Sequence, residues 1–119
     1  MLKWENRLHR PVEFQKVFSR HCSFGGKYVV LYTAVEKGQK EVRVGISVSR
    51  KVGKAVERNR IKRRLSEIMR FHLPFIKEGA HIILIARPAI KDADFNEIEK
   101  EVAYLLQKAK LYRKEKRVN

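Results

Sequence analysis

The spacing of apolar side chains switches along this chain from helical to alternating and back. Arg10–Arg20 reads as a short helix, with Phe14, Val17, Phe18 and, one residue on, His21 at helical intervals behind Pro11, a residue suited to a first turn, and Gly25-Gly26 breaks the segment. Tyr28–Val35 is rich in β-branched and aromatic residues and reads as a strand. After a Lys37-Gly-Gln-Lys turn, Val42, Val44, Ile46 and Val48 alternate with Arg43, Gly45, Ser47 and Ser49, which predicts a second strand, hairpin-paired with the first.

Beyond Val52-Gly53 the period is helical again, with Ile61, Leu65, Ile68, Met69 and His72 on one side through about residue 71. Pro74 and Gly79 bracket a connection, and His81-Ile-Ile-Leu-Ile-Ala-Arg fits a buried strand. Phe95, Ile98, Val102, Leu105, Leu106 and Ala109 mark a long amphipathic helix. Its acidic entry (Asp92, Asp94, Glu97) and basic exit (Lys108, Lys110, Arg113, Lys114) complement the helix dipole. The expected order is helix, strand, strand, helix, strand, helix. That is an α/β chain of the α+β sandwich kind, one domain over residues 1–119 on a small mixed sheet, with a frayed tail at 113–119.

Composition narrows the function. At 119 residues and 44% apolar, the chain can build a core without staples. Cys22 is the single cysteine, which excludes an internal disulfide and a cysteine-based zinc cluster. No apolar run reaches membrane-spanning length, and the N-terminus has no apolar stretch of signal-peptide length, so a soluble, cytoplasmic protein is expected.

Charge is more informative. Twenty-eight Lys and Arg against thirteen Asp and Glu leave +15, and such an excess speaks of a polyanionic partner. A membrane surface would instead require bulky aromatics opposite the charge on a basic helix. The 21 residues Arg50–Arg70 hold nine basic and two acidic side chains, nearly half of the net charge.

On a helical wheel, Asn59, Arg60, Arg63 and Arg70 fall opposite the apolar side, with Lys62 and Arg64 on the flanks. Arg58 projects toward the apolar side near the N-terminal end, where its long stem can reach out. Guanidinium forks match phosphate oxygens bidentately, and an Asn amide reads a base edge or a 2′-hydroxyl. A merely solvated helix face would carry balancing carboxylates, yet only Glu57 and Glu67 are at hand. Upstream, Ser49-Arg-Lys-Val-Gly-Lys-Ala places Gly53 at the strand-to-helix turn, where free N–H groups can meet phosphate. Its spacing is not that of a nucleotide-binding loop. Phe14, Phe18, Tyr28 and Tyr32 form either a core cluster or a platform for unpaired bases.

Ser49-Arg-Lys-Val-Gly-Lys-Ala-Val-Glu-Arg-Asn-Arg-Ile-Lys-Arg resembles the signature of the bacterial ribonuclease P protein component. Arg7-Leu8 with Phe14-Gln-Lys-Val-Phe18 resembles that family's first helix, and Tyr28–Thr33, Arg43–Ser49 and Ile82–Arg87 resemble its strands. The resemblance implies a left-handed βαβ crossover, against the usual hand. It implies a protein that assembles, one per RNA, with a large catalytic RNA cutting the 5′ leader from precursor tRNA. Magnesium ions held by that RNA would do the chemistry, and the protein would carry no catalytic residue and no metal.

The RNA-facing residues would be Arg50, Lys51, Lys54, Arg58, Asn59, Arg60, Lys62 and Arg63. A cleft lined by Phe14, Phe18, Tyr32, Arg43 and Ser47 would hold the single-stranded leader. One departure stands out: the family often has Arg where this chain has Ser66, and Arg64 occupies a position usually apolar.

Two other classes stay open on residues alone. A protein-only nuclease needs converging carboxylates or a His base, whereas the acidic cluster at Asp92–Glu101 is already explained by the helix dipole. His9, His21, His72 and His81 show no motif spacing. A non-catalytic RNA-binding module such as a ribosomal protein is the other.

Overall fold

The most apolar run of the chain becomes the central strand. A computed structural model describes residues 2–20 and 22–113. Its helices are α1 (Pro11–Ser19), α2 (Ala55–His72) and α3 (Phe95–Lys108). Its strands are β1 (Cys22–Gly25), β2 (Val29–Val35), β3 (Arg43–Ser47) and β4 (Ala80–Ala86), in the sheet order β1-β2-β4-β3. The result is the expected α+β architecture on a mixed sheet, with β4 antiparallel to β2 and parallel to β3.

Two expectations about the sheet are corrected. β2 and β3 do not form a hairpin, because β4 lies between them and pairs with both. Ile82, Ile83 and Leu84 are all buried, and a strand apolar on both faces stabilises the sheet most when it is central. The chain therefore runs from β3 through α2 to β4 as a parallel crossover. The second correction is β1, a strand that the helical reading had absorbed into the segment after Arg20. The helix ends at Ser19, and His21 lies outside the described residues.

The two sheet faces are covered unequally. Val29 and Leu31 of β2, Val44 of β3, and Ile82 and Leu84 of β4 point into the main core. There they meet Ile61, Leu65, Ile68 and Met69 of α2 and Ile98, Val102, Leu105 and Leu106 of α3. The helical wheel thus placed the buried side of α2 correctly, His72 included. On the opposite face a small cluster of Leu8, Val17 and Ile83 holds α1, with Phe14, Tyr32, Ala34 and Ile85 packed against it. Tyr28 belongs to the main core and not to an aromatic platform. It is buried just before β2, with its hydroxyl donating to Glu97 Oε2 at 3.3 Å.

The N-terminal segment runs along the outer edge of β3, where Leu8 N–H donates to Val44 O at 3.0 Å and Asn6 Nδ2 to Val42 O at 2.8 Å. α3 starts on a reciprocal cap: Asp94 Oδ1 accepts from Glu97 N–H at 2.8 Å, and Glu97 Oε1 from Asp94 N–H at 3.1 Å. The dipole does not account for the whole acidic cluster. Glu101, in the middle of α3, accepts from the backbone N–H groups of Lys27, Tyr28 and Val29 at 2.7–2.8 Å and so fixes the β1–β2 turn. Nor does it account for the whole basic exit. α3 ends at Lys108, Lys110 lies beyond it at φ 58°, and Arg113 is hydrogen-bonded to Phe75 O and Ile76 O. Lys114 and the rest of the expected frayed tail lie outside the described residues.

Candidate nucleic-acid interface

Strand alternation and register define an open trough on the α1 side of the sheet. One row across the strands there is Ser23, Tyr32, Ile83 and Gly45, and the next is Gly25, Val30, Ile85 and Ser47. α1 covers the first row. Phe14 packs over Gly45, where a Cβ would overlap the ring, and Phe18 meets Tyr32 edge-on with ring centroids 5.0 Å apart. The second row stays accessible: Gly25 and Ser47 are exposed, Val30 and Ile85 half-buried. Phe14, Phe18 and Tyr32 therefore wall a groove whose floor is apolar.

Sequence reasoning missed Val30 and Ile85. Their signal was available only as strand parity, which cannot say which face a helix leaves bare. It also missed Arg87, whose guanidinium lies over Gly25 at one end of the row. Arg43, expected to line the cleft, is paired with Glu13 at 3.5 Å. Glu13 also accepts from His9 N–H at 2.7 Å and Arg10 N–H at 2.9 Å, and these backbone donors, with Arg43 adding to them, hold its carboxyl below the usual carboxylate range. Arg43 thus ties α1 to β3.

Beside the trough, a cavity of about 450 Å³ opens between the N-terminal segment, β3 and α2. Leu2, Leu8, Phe14, Val44 and Ile46 form its apolar wall, and Arg7, Asn59, Lys62, Arg63 and Ser66 its polar one. Residues expected in two separate places, Phe14 in the cleft and Asn59 and Arg63 on the helix, share this cavity. Ser66, where the family often has Arg, leaves it open on the α2 side. Arg7 Nε is buried there without a hydrogen-bond partner.

The basic face itself is uncompensated. Arg50, Lys51, Lys54, Arg60, Lys62 and Arg63 are exposed, and among the described residues none is ion-paired. The nearby carboxylates are engaged elsewhere. Glu57 accepts from Lys54 N–H at 3.2 Å, meets Lys91 at 3.7 Å and folds over Gly53, while Glu67 pairs with Arg70 at 2.8 Å. Gly53 leaves room for the Glu57 carboxylate, which a Cβ there would push aside, and its φ is not positive. Arg58 is half-buried and donates from Nη1 to Gly53 O at 2.9 Å, so it braces the loop before α2 with part of its fork. Among the described residues no group of three or more His, Cys, Asp or Glu is arranged to hold a metal ion, and no helix is long and apolar enough to cross a membrane.

Comparison with known proteins agrees with this geometry. The model of the Ribonuclease P family matches residues 2–110. The chain belongs to the ribonuclease P protein family. It is 41% identical to the ribonuclease P protein component of Bacillus velezensis over 95% of this chain and 97% of that one, and 40% identical to that of Alkaliphilus oremlandii over 92% and 96%. Among solved structures, the Staphylococcus aureus RNase P protein superposes with a TM-score of 0.83 at 34% identity, covering 91% of this chain and 98% of that one. The Thermotoga maritima protein gives 0.77 at 31%, covering 86% and 96%. As a ribonuclease P protein, the chain is a component of an endoribonuclease ribonucleoprotein of tRNA processing and binds RNA. An uncompensated cationic helix bordering a half-apolar groove is what that role demands.

Proposed function

We propose that the protein holds the single-stranded 5′ leader of precursor tRNA in the trough beside Phe14, Phe18 and Tyr32. It docks on a catalytic RNA subunit through Arg50, Lys51, Lys54, Asn59, Arg60, Lys62 and Arg63. Ser47 lies at the edge of the leader path, Arg43 holds α1 beside it, and Arg58 braces the loop before α2 while offering the rest of its fork to the RNA. The complex works in the cytoplasm with one protein per RNA. The observation that carries this reading is the six exposed cations without an ion pair among the described residues, two of which, Lys62 and Arg63, share with Phe14 the cavity beside the trough.

Bond breaking belongs to the RNA subunit in this reading. Glu13 and Glu57 are paired with Arg43 and Lys91, and among the described residues no three His, Cys, Asp or Glu side chains are grouped to hold a metal, so magnesium would be held by phosphate oxygens of the RNA and would supply an activated water there. The protein discriminates by binding: a precursor has a leader and the mature product has none, so grip on the leader favours substrate over product. Neutralising phosphates also lets two polyanions approach.

The test is reconstitution with a transcribed bacterial ribonuclease P RNA at low magnesium. Phe18→Ala should raise KM for a leader-bearing substrate about fivefold or more, since stacking contributes about 1–3 kcal/mol per base. An equal weakening of mature tRNA binding would contradict leader grip. Cleavage by the protein without RNA would overturn the assignment of chemistry.

A further inference from the structure

A second aromatic and basic surface lies at the far end of α2, about 16 Å along the helix axis from Arg60 to Phe71 at 1.5 Å per residue. Phe71 and Phe75 are 64% and 55% exposed, with ring centroids 6.4 Å apart and planes tilted by 55°. Single exposed aromatics are ordinary; two adjoining rings open to solvent are a patch.

The patch is bordered by cations. Arg113 is hydrogen-bonded through its backbone N–H to Phe75 O at 2.8 Å and through Nε to Ile76 O at 3.2 Å, which ties it to the backbone just after the patch. Tyr112 packs on His72, the residue after Phe71, and with Lys77, Gln107 and Lys110 lines a concavity of about 540 Å³. Among the described residues Lys77, Lys110 and Arg113 are in no ion pair. Two carboxylates stand near, exposed Glu78 and half-buried Glu99. Among the described residues they face three cations, Lys77, Lys110 and Arg113. Because α3 stops at Lys108, its dipole does not explain Lys110 or Arg113.

We propose that Phe71 and Phe75 form a stacking platform for an unpaired base of the RNA partner, with Lys77, Lys110 and Arg113 holding the adjoining phosphates. Flat rings take any base, and cations without internal partners suit the flanking backbone. The proposal rests on the RNA-binding reading above and adds a second contact, removed from the trough and from the Arg60 face. A second copy of this chain is the competing occupant. The basic rim argues against it, since a two-fold contact would set like charges against one another.

The test uses full-length protein and a transcribed bacterial ribonuclease P RNA. Affinity is measured together with 2′-hydroxyl acylation footprints for the wild type, Phe71→Ala, the pair Phe71→Ala/Phe75→Ala, and Arg60→Ala/Arg63→Ala. The aromatic pair should weaken binding five- to hundredfold and erase protection at one unpaired segment, leaving intact the protection that the arginine pair removes. Phe71→Ala alone, at an exposed helical position where alanine is the better helix former, should give a smaller loss in the same segment. Unchanged affinity and footprint in the aromatic pair, with wild-type binding normal, would overturn the platform and leave the trough untouched. Absence of wild-type binding would sink both readings. A concentration-dependent dimer in sedimentation that the aromatic pair abolishes would assign the patch to a second copy and also overturn the platform.

Discussion

Removing Arg60 and Arg63 together tests whether the basic face is an electrostatic footprint. Six exposed cations on and before α2 have no internal ion pair among the described residues, so six phosphate contacts is the working number. Each contact gives a salt slope of about −0.7 to −0.9 in log affinity against log salt, so the wild type should lose roughly a thousandfold between about 50 and 200 mM. Arg60→Ala/Arg63→Ala should flatten the slope by about 1.4–1.8, which shrinks that loss to roughly a hundredfold. Stability should hardly change. Both side chains are exposed, and taking two like charges three residues apart off one helix relieves repulsion worth only tenths of a kcal/mol. Filter binding to the RNA subunit across a salt series, with thermal melts alongside, checks both halves. An unchanged slope, or a melting point lowered by several degrees, would show that these arginines support the fold and not the RNA.

Other expectations concern the scaffold. Glu101→Ala strips three backbone N–H groups of a shared carboxylate and should cost about 2–4 kcal/mol, read as a melting-point drop of roughly 8–16 °C; a drop under 2 °C would deny the clamp. Gly45→Val would drive a side chain into the Phe14 ring, costing about 1–3 kcal/mol and weakening leader-bearing substrate more than mature tRNA; equal effects on both would show that Phe14 does not border the leader. His72 and His81 have their pKa lowered from 6.5 by burial, and the Nε2 of each is buried without a partner. The unfolded chain therefore binds more protons as pH falls below about 6.5, so their contribution is complete above that value and is lost as pH drops through the folded pKa. Denaturant melts from pH 7.5 to 5 should show stability falling in that window, less so in His72→Gln; a flat profile would refute the linkage.

Local pattern revealed α2 and α3 because one helix face reports burial every third or fourth residue, and Ile61, Leu65, Ile68 and Met69 obey it. Pairing partners are not local. Nothing near Val35 or Arg43 says that a strand forty residues on will enter between them, although the two-sided apolar run at Ile82–Leu84 was a signal for a central position. β1 escaped because four residues with mostly exposed side chains leave no alternation to read. The exposed cationic face of α2 was legible since charge and helical spacing suffice. The groove was not, because whether Phe14 and Phe18 are core or platform depends on how far α1 reaches. Glu101 was hidden for the same reason: its partners lie more than seventy residues away.

The openness of the trough follows from helix length. α1 has nine residues, about 14 Å of helix, whereas the seven-residue strands β2 and β4 each run about 23 Å. A helix that short cannot shield the whole face whichever way it crosses, and the uncovered remainder, about 10 Å, suits one extended polynucleotide strand. Leaving Val30 and Ile85 half-bare costs little because α2 and α3 already cover the other face, where most of the core lies. On the proposed reading, stability and binding are divided between the two sides of one sheet. On the binding side, the Glu13–Arg43 pair and the Leu8, Val17 and Ile83 contacts only need to keep α1 from sliding over the gap.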